Sequence, residues 1–222
     1  NLHIIGHCLV WHSQAPEWIF IDDKGKDVCK DTLINRMRNH IYTVVKRYKG
    51  KVKGWDVVNE AIEDNGEYRK SKWFTIIGPE WIELAFRFAH EADSSAELYY
   101  NDYNEWFPAK REAIYKLVKG LKEKGIRIDG IGMQAHLNME TPSYEEYEEA
   151  IVRYASLGVK VMITELDMTM LPWPSRLITA DVNYRAQYLD SLNPYPNGLP
   201  DSVYQSQTER LTTFFKIFLK HS

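Results

Sequence analysis

Apolar residues recur along this chain in two alternating periods. Short β-rich runs occupy residues 4–10, 52–58, 98–100, 131–134 and 160–164. Each is followed by a stretch whose apolar positions repeat at helical spacing. Leu33, Met37, Ile41, Val45 and Tyr48 mark one helical face, which stops near Gly50. Trp81, Leu84, Ala85, Phe88 and Ala89 mark the next, with Pro79 expected at its first position. Pro108 opens a third helix that turns Ile114, Tyr115, Val118 and Leu121 inward and ends at Gly125. Ser143 and Glu146 have capping-box spacing ahead of Tyr147, Ala150, Ile151 and Tyr154, and Gly158 closes that helix. A second Ser-x-x-Glu pair, Ser206 and Glu209, precedes Leu211, Phe214, Phe215, Phe218 and Leu219, again at helical spacing.

The pattern predicts five strands, each followed by a helix. Their starts lie roughly 30 to 50 residues apart, which fits right-handed βαβ crossovers. Two α/β architectures accommodate this: a doubly wound sheet or a (β/α)8 TIM barrel. No Gly-rich phosphate loop follows any strand, so the nucleotide-binding form of the first lacks its usual mark. A whole barrel has eight βα units and typically about 250 residues, so the second reading implies an incomplete barrel. Residues 168–203 hold five of the nine prolines and no clear period; a loop of that length is usually functional.

Composition narrows the function classes. The 222 residues carry 28 Lys and Arg against 31 Asp and Glu, a net charge of −3, which gives no electrostatic footprint for nucleic acid or an anionic membrane. No apolar stretch approaches the roughly 20 residues that a membrane span requires. The 7 Trp, 14 Tyr and 8 Phe exclude a disordered chain and can also supply flat platforms for sugar rings. Two cysteines are too few for a disulfide framework, and Cys8, in a strand-like run, reads as a small buried hydrophobe. A metal site is not expected. His7 and His12 are five apart, which on a strand points them to opposite faces, and no Cys/His cluster has zinc spacing. His3, His40, His90 and His221 read as surface or structurally satisfied histidines.

Candidate chemistry gathers where the strands end. The first run closes on His7, Trp11, His12 and Gln14, the second on Asp56, Asn59 and Glu60, and the third on Asn101, Asp102 and Asn104. The fourth closes on Gln134, His136 and Asn138, and the fifth on Glu165 and Asp167. One polar strand end is ordinary, but five in succession predict a polar cleft at the carboxyl edge of the sheet, where α/β folds bind ligands. Within it, Glu60 and Glu165 are the pair for two-carboxylate chemistry such as glycoside hydrolysis. Asn59 could reach a sugar hydroxyl, and His136 could orient Glu165.

Five segments carry a resemblance. GHCLVWHSQ at 6–14, WDVVNE at 55–60, YYNDYN at 99–104, GIGMQAHL at 130–137 and ITELDM at 163–168 resemble the strand-end motifs of family 10 glycoside hydrolases, the endo-1,4-β-xylanases. They stand in the family's order across nearly the whole chain. The resemblance implies a (β/α)8 barrel that cleaves β-1,4 bonds of xylan or xylo-oligosaccharides with retention and needs no cofactor. It implies Glu60 as general acid/base and Glu165 as nucleophile, with Asn59 on the sugar 2-hydroxyl, His136 bonded to the nucleophile and Asp167 behind that histidine. His7, Trp11, Gln14, Gln134 and Tyr103 match cleft residues. Motifs of the family's first two strands and of its eighth are not found, so residues 1–222 are expected to form a partial catalytic domain, barrel units three to seven, with open sheet edges that invite self-association. A polymeric substrate cannot cross a membrane, so a secreted, cell-surface or periplasmic setting is expected. Two alternatives stay open: a β-1,4-glucanase on the same barrel, and a domain that binds glycan without turnover.

Overall fold

The computed structural model describes residues 2–172 and 193–222 of the chain. Part of the proline-rich stretch that the sequence marks as a functional loop lies outside the described residues. The strands are β1 (Ile5–Gly6), β2 (Val10–Trp11), β3 (Gly54–Asn59), β4 (Glu97–Asp102), β5 (Gly130–Met133), β6 (His136–Asn138), β7 (Lys160–Ile163) and β8 (Asp167–Thr169). The helices are α1 (Lys30–Arg47), α2 (Lys72–Ile77), α3 (Trp81–Ala92), α4 (Pro108–Glu123), α5 (Tyr144–Ala155) and α6 (Asp201–Lys220).

All strand pairs are parallel, in the order β1-β3-β4-β5-β7, with β2 extending the β1 edge alongside β3. Five βα units in sequence order, each strand beside the one before it, make an arc of a (β/α)8 barrel. A doubly wound sheet would reverse its strand order at a switch point. Leu98, Tyr100, Ile131 and Met133 are fully buried beneath the helices, while Tyr99, Asn101, Gly130 and Gly132 alternate onto the other face. Beyond the carboxyl edge, β6 and β8 form a second small parallel sheet that continues β5 and β7.

Several expected boundaries shift. The first run is two short strands rather than one, interrupted over residues 7–9. Pro79 is not the first residue of α3: Glu80 stands at the N-cap position, without a capping side-chain bond, and Trp81 begins the helix. Ahead of it stands α2, capped by the Ser71 hydroxyl, which apolar periodicity does not reveal because a six-residue helix is too short to show a face. Ser206 and Glu209 lie inside α6, not at its start. The Ser206 hydroxyl donates back to the Ser202 carbonyl, and the helix begins after Pro200. On α6, Phe214 and Ile217 are buried, but Phe215 and Leu219 are 49% and 71% exposed: the helix packs on α5 and is tied to β6 and β8 by Arg210 and Gln207, and its outer side stays open. Tyr115 is half-buried, covered by the Arg153 guanidinium at 3.4 Å. The Ser143–Glu146 capping box is formed, and its helix buries Tyr147, Ala150, Ile151 and Tyr154.

Candidate active site

Among the described residues, four non-glycine residues adopt left-handed backbone: Gln14, Glu60, Asn104 and Ala135, with φ of 56°, 57°, 50° and 61°. Each follows a strand at the carboxyl edge of the sheet. Such conformations are costly and concentrate at functional sites.

Glu60 follows β3 directly. Its amide donates to the Asn101 carbonyl at 2.9 Å, and its own carbonyl accepts from Arg69 Nε at 2.9 Å, so the strained residue is tied on both sides. Its side chain is buried, and donors face both carboxylate oxygens. Asn59 Nδ2 and Gln134 Nε2 reach Oε1 at 3.2 and 3.1 Å, and Trp11 Nε1 reaches Oε2 at 2.8 Å. The register explains Trp11, since it pairs in β2 with Asn59 of β3, the residue just before Glu60. His12 Nδ1 lies 3.7 Å from Glu60 Oε2. Burial, with Arg69 and Lys110 nearby, pushes His12 down to about 4, so its ring is neutral near pH 7.

Glu165 follows β7 and is half-buried. Asn101 Nδ2 donates to its Oε1 at 2.9 Å, and His136 Nε2 lies 3.3 Å from its Oε2. Burial alone would raise this carboxyl, but the hydrogen bonds of His136 and Asn101 outweigh it and hold Glu165 below its ordinary value. The β6–β8 register sets His136 against Asp167, whose Oδ1 lies 3.0 Å from His136 Nδ1. Hydrogen bonding to Glu165, against burial and with the help of Asp167, raises His136 to about 9. The imidazolium therefore bridges two carboxylates.

Asn101 joins the two halves. Its amide donates to Glu165 and also to Asn59 Oδ1 at 3.0 Å, and Asn59 in turn donates to Glu60. Its oxygen accepts from Thr164 Oγ1 at 2.8 Å. A side chain at Gly132 would collide here, because its Cβ would stand 2.3 Å from Asn101 Oδ1.

The remaining sequence candidates divide. His7 Nδ1 bonds Asp56 Oδ2 at 3.0 Å, and that bond raises His7 above its ordinary value. Tyr103 accepts from Arg69 at 3.0 Å, and its ring lies 3.7 Å from the fully buried Lys110 ammonium. Burial opposes the Lys110 charge, but Asp102 at 2.9 Å overcomes it and raises Lys110. Gln14 is exposed and makes no hydrogen bond to any of these residues. Cys8 is half-buried beside the cluster, and burial pushes its thiol up to about 12, which leaves it unreactive.

Sequence reasoning assigns no role to Arg69, Asn101 or Glu105. Asn101 carries a signal, a polar residue one strand over from the Asn-Glu pair, whereas Arg69 sits in an aperiodic loop. Among the described residues, no group of three or more His, Cys, Asp and Glu could hold a metal ion, and no helix is long and apolar enough to cross a membrane.

Comparison with known proteins supplies the context. The model of the family described as Glycosyl hydrolase family 10 matches residues 1–222. An endo-1,4-beta-xylanase A of Xylanibacter ruminicola is 55% identical over 221 residues, covering 100% of this chain and 60% of that protein. An endo-1,4-beta-xylanase of Geobacillus stearothermophilus is 58% identical over 167 residues, covering 74% of this chain and 51% of that protein. A solved endoxylanase from a sugarcane soil metagenome superposes with a TM-score of 0.90 at 42% identity, covering 99% of this chain and 62% of that one. The chain thus spans between about half and three-fifths of the length of these relatives.

Proposed function

The chain belongs to glycosyl hydrolase family 10, and from that membership we propose that it forms part of a retaining endo-1,4-β-xylanase in which Glu165 is the nucleophile and Glu60 the general acid/base. The observation that carries this reading is the single polar network in which Asn59 and Asn101 link two carboxylates of different environment. A nucleophile must be ionised, and Glu165 is the carboxyl held low by a cationic histidine. In this mechanism, Glu165 attacks the anomeric carbon while Glu60 hands a proton to the leaving oxygen. Glu60 then takes a proton from water, which hydrolyses the glycosyl ester. Retention implies carboxyl groups about 5 to 5.5 Å apart.

Support for xylan comes from the relatives. Besides those above, an intracellular xylanase of Thermoanaerobacterium saccharolyticum, 38% identical with a TM-score of 0.82 and covering 98% of this chain and 62% of that one, has been solved with xylotetraose. Trp11, His7 and Tyr103 are proposed to face the sugar, with Gln134 and Asp167 supporting the two glutamates. The test is reducing-sugar release from xylan beside cellulose, with the first-formed anomer followed by NMR. Release from xylan as the β-anomer is expected. Inverted product excludes the mechanism, release from cellulose alone replaces the substrate, and binding without release leaves a glycan-binding domain.

A further inference from the structure

Beneath the cleft lies a carboxyl that this mechanism does not use. Glu105 follows β4 and is completely buried. A carboxyl in such a place is expensive unless a specific bond requires it. Its Oε1 accepts from the Tyr147 hydroxyl at 3.1 Å and from the Ala135 amide at 3.3 Å. Its carbonyl accepts from the Tyr154 hydroxyl at 2.7 Å. Both tyrosines project from α5, so the residue is clamped from the helix side and reaches the sheet edge on the other.

Ala135 is the point of contact that matters. It stands between the end of β5 and the start of β6, with φ of 61°, a conformation that alanine adopts only when its surroundings impose it. That left-handed residue stops one ladder and lets the next begin. On one side of it, Gln134 reaches Glu60 at 3.1 Å, and on the other, His136 stands 3.3 Å from Glu165. The Ala135 carbonyl accepts the amide of Asp167, the same residue whose carboxylate holds His136. The Ala135 amide no longer points along the sheet ladder and is buried, so it needs an acceptor. Glu105 is that acceptor.

We propose that Glu105 is a positioning residue that, through the backbone of Ala135, sets Gln134 against Glu60 and His136 against Glu165 at once. A role confined to satisfying the Tyr147 hydroxyl would not require the second bond, to the Ala135 amide. Burial pushes Glu105 up to about 7, so the group changes charge near neutrality without losing its acceptor oxygen. The catalytic consequence rests on the reading of Glu60 and Glu165 given above, whereas the positional one does not.

Two variants separate the possibilities in the 222-residue chain. Glu105→Asp retracts the acceptor by one methylene, and Glu105→Gln keeps an oxygen in reach of Ala135. The readout is the imidazole titration of His136 by NMR. The wild-type midpoint is expected near 9. Glu105→Asp is expected to lower it by about one unit, a tenfold loss in proton affinity, and Glu105→Gln to leave it in place. In xylan hydrolysis, Glu105→Asp is expected to lower kcat about 10- to 100-fold with KM little changed, the scale set by small misplacements of catalytic groups. A folded Glu105→Asp chain with an unmoved His136 midpoint, or Glu105→Gln displaced as far as Glu105→Asp, overturns the proposal. Should Glu105→Asp not fold, a scalar coupling across the hydrogen bond from the Ala135 amide nitrogen to the Glu105 carboxyl carbon in the wild-type chain decides: its presence supports the proposal and its absence overturns it. A wild-type chain inactive on xylan counts against the functional reading and leaves the His136 comparison to judge Glu105.

Discussion

At the scale of single residues, the division of labour between the two glutamates makes different demands of each. Replacing Glu165 by Gln keeps the size of the side chain but removes the charge that forms the glycosyl ester and turns an NH2 toward one of two donors, Asn101 Nδ2 or His136 Nε2. Turnover of an activated aryl xylobioside is expected to fall at least about 10³-fold, roughly 4 kcal/mol of transition-state stabilisation, with the chain still folded but melting somewhat lower, since His136 loses its charged partner; retained activity removes Glu165 from the role. Glu60→Ala should behave otherwise. An activated leaving group needs little protonation, so the first step is partly spared, the second slows for want of a base, and azide restores part of the rate. Equal losses on xylan and on the aryl substrate, with no response to azide, would exclude Glu60. The pH response follows from His136, whose folded value of about 9 lies above its unfolded 6.5. Its contribution to stability is complete below 6.5 and lost as pH rises through about 9. Glu165 works in the opposite sense, its contribution present above the ordinary carboxylate value and lost only as pH falls through its depressed one. Melting temperature is expected to drop through about pH 9 in the wild type and to lose that step in His136→Gln; an identical profile in the variant would refute the assignment. Glu60, Glu165 and Asn59 are legible in sequence because each ends or follows a strand, where direction is fixed by the sheet. Glu105 is not, since beside Asp102 and Asn104 it looks like one more solvated acid, and only the packing of α5 shows it buried.

At the scale of elements, legibility tracks length and the number of buried neighbours. Helices α1, α4 and α5 follow their apolar stripes closely because each has a full face to bury. The six residues of α2 offer no such face. The Ser206–Glu209 pair misleads because a motif of two residues says nothing of the helix already running through it. The true capping box at Ser143 has a consequence for the site, since α5 presents Tyr147 and Tyr154 to Glu105. Ser143→Ala is expected to cost about 1 kcal/mol in denaturant unfolding, the usual worth of an N-cap, and the double change with Glu146→Ala little more, because the two side chains act as one reciprocal unit. Additive losses would show instead that the two bonds are independent.

At the scale of the whole molecule, the described sheet is an open arc with β1 at one edge and β7 at the other. Strand edges with unpaired backbone groups are templates for association, and proteins blunt them with charge or cover. Here Lys160 places one charge on the β7 edge, while near β1 the apolar Leu2 and Ile4 are 97% and 60% exposed. On α6, which packs on α5 as α5 packs on β7, Phe215 and Leu219 leave an exposed apolar stripe. Apolar surface of this kind in a chain of small net charge has little repulsion to keep copies apart. Sedimentation velocity across a concentration series is therefore expected to show reversible association of the 222-residue chain. Phe215→Ser with Leu219→Glu should weaken it if the helix stripe is the contact, and Ile4→Lys if the β1 edge is. A monomer at every concentration would show that neither surface is sticky enough to pair, and that the open arc is stable as it stands.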